Sequence, residues 1–305
     1  MEPLAGQGPN PSPVIDAHSH MWQGFPSDGK AKKSVKDLPR DPRELAGELN
    51  RLGVQKVVTF AQEMTRIQRQ WLGSNQLAVD LQRHWPEMII GVAGGEPLDE
   101  RDRLNAVRLK EVETAIKDHH LHGLLFTPPY GHFYSNDARA YPFYQLAQQQ
   151  DVPVIFHHAA LWVGPAVQSP IKFARPWLLE DVVIDFPDLR MVVEHMGCPW
   201  TEEVLAIMER APNVYTDISA LQRRPTVLAW NLVMAREYGV LDRVFWGTDY
   251  VGEDHAEYIA LVEREVAFVR CELNEYAARS GWPTLSEEEI DGILRRNAMT
   301  LYRLG

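Results

Sequence analysis

A chain of 305 residues exceeds a typical single domain, yet one α/β barrel fills roughly 250 residues, so length leaves one or two domains open. Hydrophobic residues at 45% and charged residues at 24% exclude wholesale disorder, and a net charge of −11 excludes nucleic acid as the main partner. Two cysteines, Cys198 and Cys271, are too few for a disulfide framework or a thiolate metal site.

The stretch 1–13, rich in Pro and Gly, reads as a disordered lead-in without the basic and apolar regions of a signal peptide. No apolar run approaches the roughly 18 residues of a membrane span, so a soluble, cytoplasmic protein with no membrane partner is expected. From residue 14 one unit recurs, a short apolar run followed by an amphipathic stretch. The runs are Val14–His18, Val54–Phe60, Met88–Val92, Gly123–Phe126, Val154–His157, Arg190–Glu194, Val214–Asp217 and Arg243–Trp246. The helical stretches between and after them cover about 42–52, 72–85, 100–119, 137–150, 176–186, 201–211, 225–239 and 254–272. Asp41-Pro42 and Thr201-Glu202-Glu203 carry the cap and charge of helix starts. Eight strands each followed by a helix predict a single (β/α)8 barrel over 14–305, and no Gly-rich phosphate turn supports the rival open sheet. Gln23–Arg40 reads as a long loop after strand 1 whose basic run, Lys30–Lys36, is a solvated face. A last helix at about Ser286–Tyr302 opens on a capping box of Ser286 and Glu289.

A barrel works at the C-terminal ends of its strands, and that rule sorts the eleven histidines. His18 and His20 fall at the end of strand 1, His157 and His158 at strand 5, His195 at strand 6, and Asp249 just past strand 8. Residues i and i+2 of a strand share a face, so His18 and His20 can meet one ion. The pattern alone says little, since chance gives about 0.4 such pairs in a chain this rich in His. A second pair, His120-Leu121-His122, falls on the opposite rim and reads as structural. Any one of these side chains is more simply a packed histidine or a helix cap. Three strands offering His and a fourth offering Asp at one rim predict a divalent metal, Zn²⁺ first, with Mn²⁺, Fe²⁺ or Co²⁺ as alternatives.

Ile15-Asp16-Ala17-His18-Ser19-His20, Pro153–His157, Glu194-His195-Met196-Gly197, Pro212–Asp217, Phe245–Tyr250 and Arg296-Asn297-Ala298 follow one another in the order of a known family. The chain resembles the amidohydrolase superfamily, in the branch of metal-dependent hydrolases and aminocarboxymuconate-semialdehyde decarboxylase-like enzymes. The resemblance implies His18, His20, His157 and Asp249 as metal ligands, with Asp249 and His195 as the catalytic pair. The family has Thr or Ser where His158 stands, so either histidine of the pair can be the ligand; the motif favours His157, with His158 turned to the shell or loop. Binuclear relatives carry a lysine on strand 4 that Gly123–Thr127 lacks, which implies one ion.

Trp22, Tyr130, His132, Trp162, Arg175, Trp200 and Tyr250 lie beyond strand ends, where one or two of them are expected to touch substrate. Arg175 suits a carboxylate, unless it pairs with Glu180 or Asp181. The leading expectation is hydrolysis of a small amide, lactone or ester. The alternative is non-oxidative decarboxylation of an aromatic or enoic acid, and the third reading is a non-catalytic metal-binding scaffold. The partner is a small molecule that can bear a carboxylate; a homo-oligomer stays open.

Overall fold

The computed structural model describes residues 12–24, 30–160 and 169–304; the expected disordered lead-in lies almost wholly outside them. Eight strands form the barrel: β1 (Val14–Met21), β2 (Val54–Phe60), β3 (Ile89–Gly94), β4 (Leu124–Phe126), β5 (Val154–Phe156), β6 (Met191–Val193), β7 (Val214–Asp217) and β8 (Val244–Phe245). Each pairs in parallel with its sequence neighbour. The circle closes where the chain after β8 runs along β1. Ala17 N–H donates to Trp246 O at 3.2 Å, Asp249 N–H to His18 O at 2.8 Å, and Val251–Gly252 pairs with His20 and Met21. That approach requires Gly247, since a Cβ there would stand 2.4 Å from His18 N.

Strand alternation divides the core in two. Ile15, Val58, Phe60, Ile90, Val92, Leu125, Ile155, Val192, Tyr215 and Phe245 point inward, and Ala298, Leu301 and Tyr302 of the last helix close that interior. Val14, Val57, Ile89, Val154, Met191 and Val244 face the helices. These are α1 (Ala46–Leu52), α2 (Asn75–His84), α3 (Ala106–Lys117), α4 (Tyr141–Gln149), α5 (Leu179–Asp185), α6 (Thr201–Arg210), α7 (Pro225–Glu237) and α8 (His255–Ala267). The chain is therefore a single (β/α)8 barrel. No helix among the described residues is long and apolar enough to cross a membrane.

Several boundaries differ from expectation. β1 runs three residues further than Val14–His18, because the pairing continues past the histidines. An antiparallel hairpin, Gln62–Met64 with Gln70–Gly73, precedes α2; its polar residues carry no apolar run to betray it. α3 starts at Ala106, after Asn105 caps it through the Arg108 N–H. Thr201 is already helical, and its hydroxyl accepts from Asn231 instead of capping. α8 passes through a π turn at Phe268–Glu272 and runs on to Arg279, and the last helix holds a second π turn at Gly292–Arg296. The capping boxes at Asp41/Glu44 and Ser286/Glu289 are present.

Candidate active site

The strand-end rule brings His18, His20, His157, His195 and Asp249 to one mouth of the barrel. A bulge in β1 sets the first pair. Asp16 pairs with Val57 but Ser19 with Thr59, so one extra residue of β1 is accommodated there. The inward phase consequently shifts from Ile15 and Ala17 to His18 and His20, which are 1% and 4% exposed. His195 and Met196 both sit at positive φ, 55° and 51°, and Asp249 at 52°, conformations that L residues keep only when neighbours impose them.

Each imidazole has its Nδ1 engaged with the wall. His18 Nδ1 lies 3.0 Å from Asp217 Oδ2, His20 Nδ1 donates to Phe60 O at 3.2 Å, and His157 Nδ1 bonds Glu194 Oε2 at 2.6 Å. His195 Nδ1 faces Ser219 through its carbonyl at 3.1 Å and its Oγ at 2.8 Å. Because the Ser219 hydroxyl gives its own proton to Asp217, it accepts from His195. The Nε2 atoms are turned to other groups. Those of His18 and His20 stand 3.3 and 3.8 Å from Asp249 Oδ1, and that of His157 meets the Tyr130 hydroxyl at 3.1 Å. Donor atoms of His18, His195 and Asp249 lie within 4.8 Å of one another, as do those of His157, Glu194 and His195. His18 Nε2 and Glu194 Oε1 are buried with no hydrogen-bond partner among the described residues.

Burial would push the Asp249 carboxyl up, but the His18, His195 and His20 rings hold it far below the usual range. Asp217 and Glu194 are likewise depressed against burial, with His18 the main cause in both. Burial opposes a charge on His18, yet Asp217 and Glu194 raise it well above its ordinary value. Burial pulls His20 down to about 4 and lowers His195 as well. Three acids thus share one pocket, and imidazoles are what hold them ionised.

Of the proposed substrate contacts, Tyr130 reaches this cluster, stacked on His157 with ring centroids 5.0 Å apart. Trp22 is a core side chain, 1% exposed, whose Nε1–H points to His255. Arg175 is tied to Glu203, neither Glu180 nor Asp181, and lies 5.2 Å over the Trp200 ring. Tyr250 gives its hydroxyl to Asp254 O at 3.1 Å and packs on Tyr258. His132 stacks on Phe173. Trp162 lies outside the described residues. His158 is buried against Phe156 and turned away from the cluster, with its pKa pushed down to about 3 by burial. Glu194, Asp217 and Ser219 had no expected role. The two acids follow β6 and end β7, so the rule that found the histidines would have found them too.

A family model described as Amidohydrolase matches residues 15–304. No curated protein matches the chain significantly. Among solved structures, an uncharacterised TIM-barrel protein from Bordetella bronchiseptica is 19% identical with a TM-score of 0.64, covering 95% of this chain and 98% of that one. A probable 2-pyrone-4,6-dicarboxylic acid hydrolase from Acinetobacter baumannii, with citric acid bound, is 15% identical with a TM-score of 0.62, covering 95% and 99%. A 5-carboxyvanillate decarboxylase from Novosphingobium aromaticivorans, complexed with manganese and 4-hydroxy-3-methoxy-5-nitrobenzoic acid, is 13% identical with a TM-score of 0.57, covering 96% of each chain.

Proposed function

The chain belongs to the amidohydrolase family, and from that premise we propose that it is a metal-dependent hydrolase of a small amide, ester or lactone. The observation that carries this reading is the orientation of four imidazoles. His18, His20, His157 and His195 each engage Nδ1 with the wall, which leaves Nε2 as the working nitrogen. Carboxylate-oriented histidines, further buried acids and the orphaned His18 Nε2 and Glu194 Oε1 fit a divalent cation. The imidazole and carboxylate donors suit Zn²⁺, then Mn²⁺, Fe²⁺ or Co²⁺. His18, His20, His157 and Asp249 are the proposed holders of one ion, with His157 giving up the Tyr130 hydroxyl.

A divalent cation, when bound, polarises a carbonyl and acidifies water. Asp249, kept ionised by the rings around it, accepts a proton from the attacking water. His195 commits its Nδ1–H to the Ser219 Oγ and carbonyl, so its neutral ring offers Nε2 as an acceptor. His195 is thus placed to take that proton on from Asp249 and hand it to the leaving group. Tyr130, its pKa raised by burial, keeps its proton and can orient the substrate carbonyl.

Decarboxylation of an aromatic or enoic acid is the second reading, favoured by the fold shared with the manganese-bound decarboxylase. The pairing of Arg175 with Glu203 leaves this reading without a cation clearly turned to the cluster. The test is metal analysis of the purified protein, then a panel scoring ester, amide and lactone hydrolysis beside CO₂ release, before and after metal removal. Hydrolysis that vanishes and returns with Zn²⁺ or Mn²⁺ is expected. CO₂ release alone selects the second reading, activity untouched by complete metal removal sinks both, and bound metal without turnover leaves a scaffold.

A further inference from the structure

Two residues before His18, on the outer side of β1, Asp16 is fully buried between the barrel wall and α8. It takes no part in the proton chemistry above. Its carboxylate accepts three hydrogen bonds: from Thr248 N–H at 2.9 Å, Thr248 Oγ1–H at 2.8 Å and the Tyr258 hydroxyl at 2.9 Å. The Thr248 hydroxyl, having spent its proton on Asp16, accepts the Tyr250 N–H at 3.2 Å. The residues on either side of Asp249 are therefore tied, directly or through one hydroxyl, to the same acid. Asp249 itself sits at a φ of 52°, a left-handed conformation that costs an L residue free energy. From the cavity side the turn is held by the Asp249 N–H to His18 O at 2.8 Å. From the shell side it is held by Asp16.

We propose that Asp16 is a positioning residue: through Thr248 it locks the turn after β8 so that Asp249 is presented to the cation of the proposed site. This rests on the metal-dependent reading, and it adds to that reading a role for an acid outside the ligand cluster. Asp16 and Asp249 lie on opposite faces of the wall, so the coupling runs through the backbone of Thr248 and not through space between the two charges.

The experiment is titration of the metal-free chain with Mn²⁺, followed by electron paramagnetic resonance, with thermal unfolding of the same metal-free samples measured in parallel. Thr248→Val removes the hydroxyl at nearly constant volume, and Thr248→Ser keeps it. Loss of a group that orients a ligand costs about 10- to 100-fold in metal affinity, so Thr248→Val should raise the Mn²⁺ dissociation constant by about 10-fold or more, and Thr248→Ser should stay within about threefold of wild type. Asp16→Asn should fall with Thr248→Val; if it does not fold, the two Thr248 variants decide the matter. A merely structural role would lower the unfolding midpoint and leave Mn²⁺ binding by the folded chain unchanged, and that result overturns the proposal. Thr248→Ser as weak as Thr248→Val overturns it as well. A wild-type chain that takes up no Mn²⁺ overturns the metal reading along with it, whereas tight binding by both wild type and Thr248→Val overturns the positioning role alone.

Discussion

The chain carries the pattern His-x-His twice, and the two copies sit at opposite ends of the barrel. His18 and His20 lie at the C-terminal mouth, buried, each with its Nδ1 fixed by an acceptor and its Nε2 facing Asp249. His120 and His122 lie just before β4 at the other end. His120 is exposed, and the half-buried His122 is held below its ordinary pKa by burial and by the neighbouring charges of Lys56 and His120. One pair is surrounded by Asp217, Glu194 and Asp249, whereas the other has Lys56 beside His122. Spacing brings two imidazoles together; the acids around them decide whether a cation can follow.

The largest expected effect breaks the acidic end. His18→Ala should lose metal almost completely, because it removes a proposed ligand and the partner of both Asp217 and Glu194. Metal content by mass spectrometry of the purified variant checks this, and full occupancy would remove His18 from the ligand set. His157→Ala should behave alike and His158→Ala should not, since His158 faces the shell; loss confined to His158→Ala reverses that assignment.

Next in size is the separation of proton transfer from metal binding. Asp249→Asn keeps the side-chain volume but removes the proposed base, so kcat should fall by roughly 10² or more even in the fraction that retains metal. His195→Asn should keep its metal better than His18→Ala while losing comparable activity. A fully active His195→Asn would deny it any part in the proton path.

The same comparison shows how far the sequence could be read. The apolar runs located all eight strands, because a barrel strand buried on both faces needs an unbroken run such as Ile89–Gly94. They could not disclose the bulge between Asp16 and Ser19, which depends on how β1 registers against β2. Nor could they foresee that Trp22 turns into the core and that Arg175 finds Glu203, since long side chains choose partners across 28 residues or more of chain. The strand-end rule holds for acids as much as for histidines. Extending it to Glu194 and Asp217 would have exposed the acids that orient His157 and His18, because they occupy the same kind of position.

A smaller effect sharpens the picture of the wall behind the site. Glu265 is buried on α8, where it accepts from Trp246 Nε1–H at 3.3 Å, and burial raises its pKa to about 8. A carboxyl raised above its unfolded value binds more protons in the folded state, so its stabilising contribution is complete below about pH 4.5 and is lost as pH rises through about 8. Glu265→Gln keeps the acceptor for Trp246 and removes the titration. Its melting temperature should exceed that of wild type at pH 9 and not at pH 5. Equal differences at both pH values would mean that Glu265 does not titrate in this range.

The smallest effect belongs to the opposite end. His120 follows α3 at a φ of 57°, and its N–H donates to Ile116 O at 3.1 Å as the helix closes. Left-handed backbone costs an L residue about 1–2 kcal/mol, which glycine avoids. Glycine in turn gives back roughly 0.5–1 kcal/mol through the greater freedom of the unfolded chain. The two nearly cancel, so His120→Gly should change stability by about 1 kcal/mol at most, in the stabilising direction. Its metal content should equal that of wild type, because the backbone bond to Ile116 survives and no imidazole of the acidic mouth is touched. His122→Ala should likewise keep all its metal. If either variant loses metal while His18→Ala retains it, the cation belongs at the opposite end of the barrel, and the contrast between the two pairs is inverted.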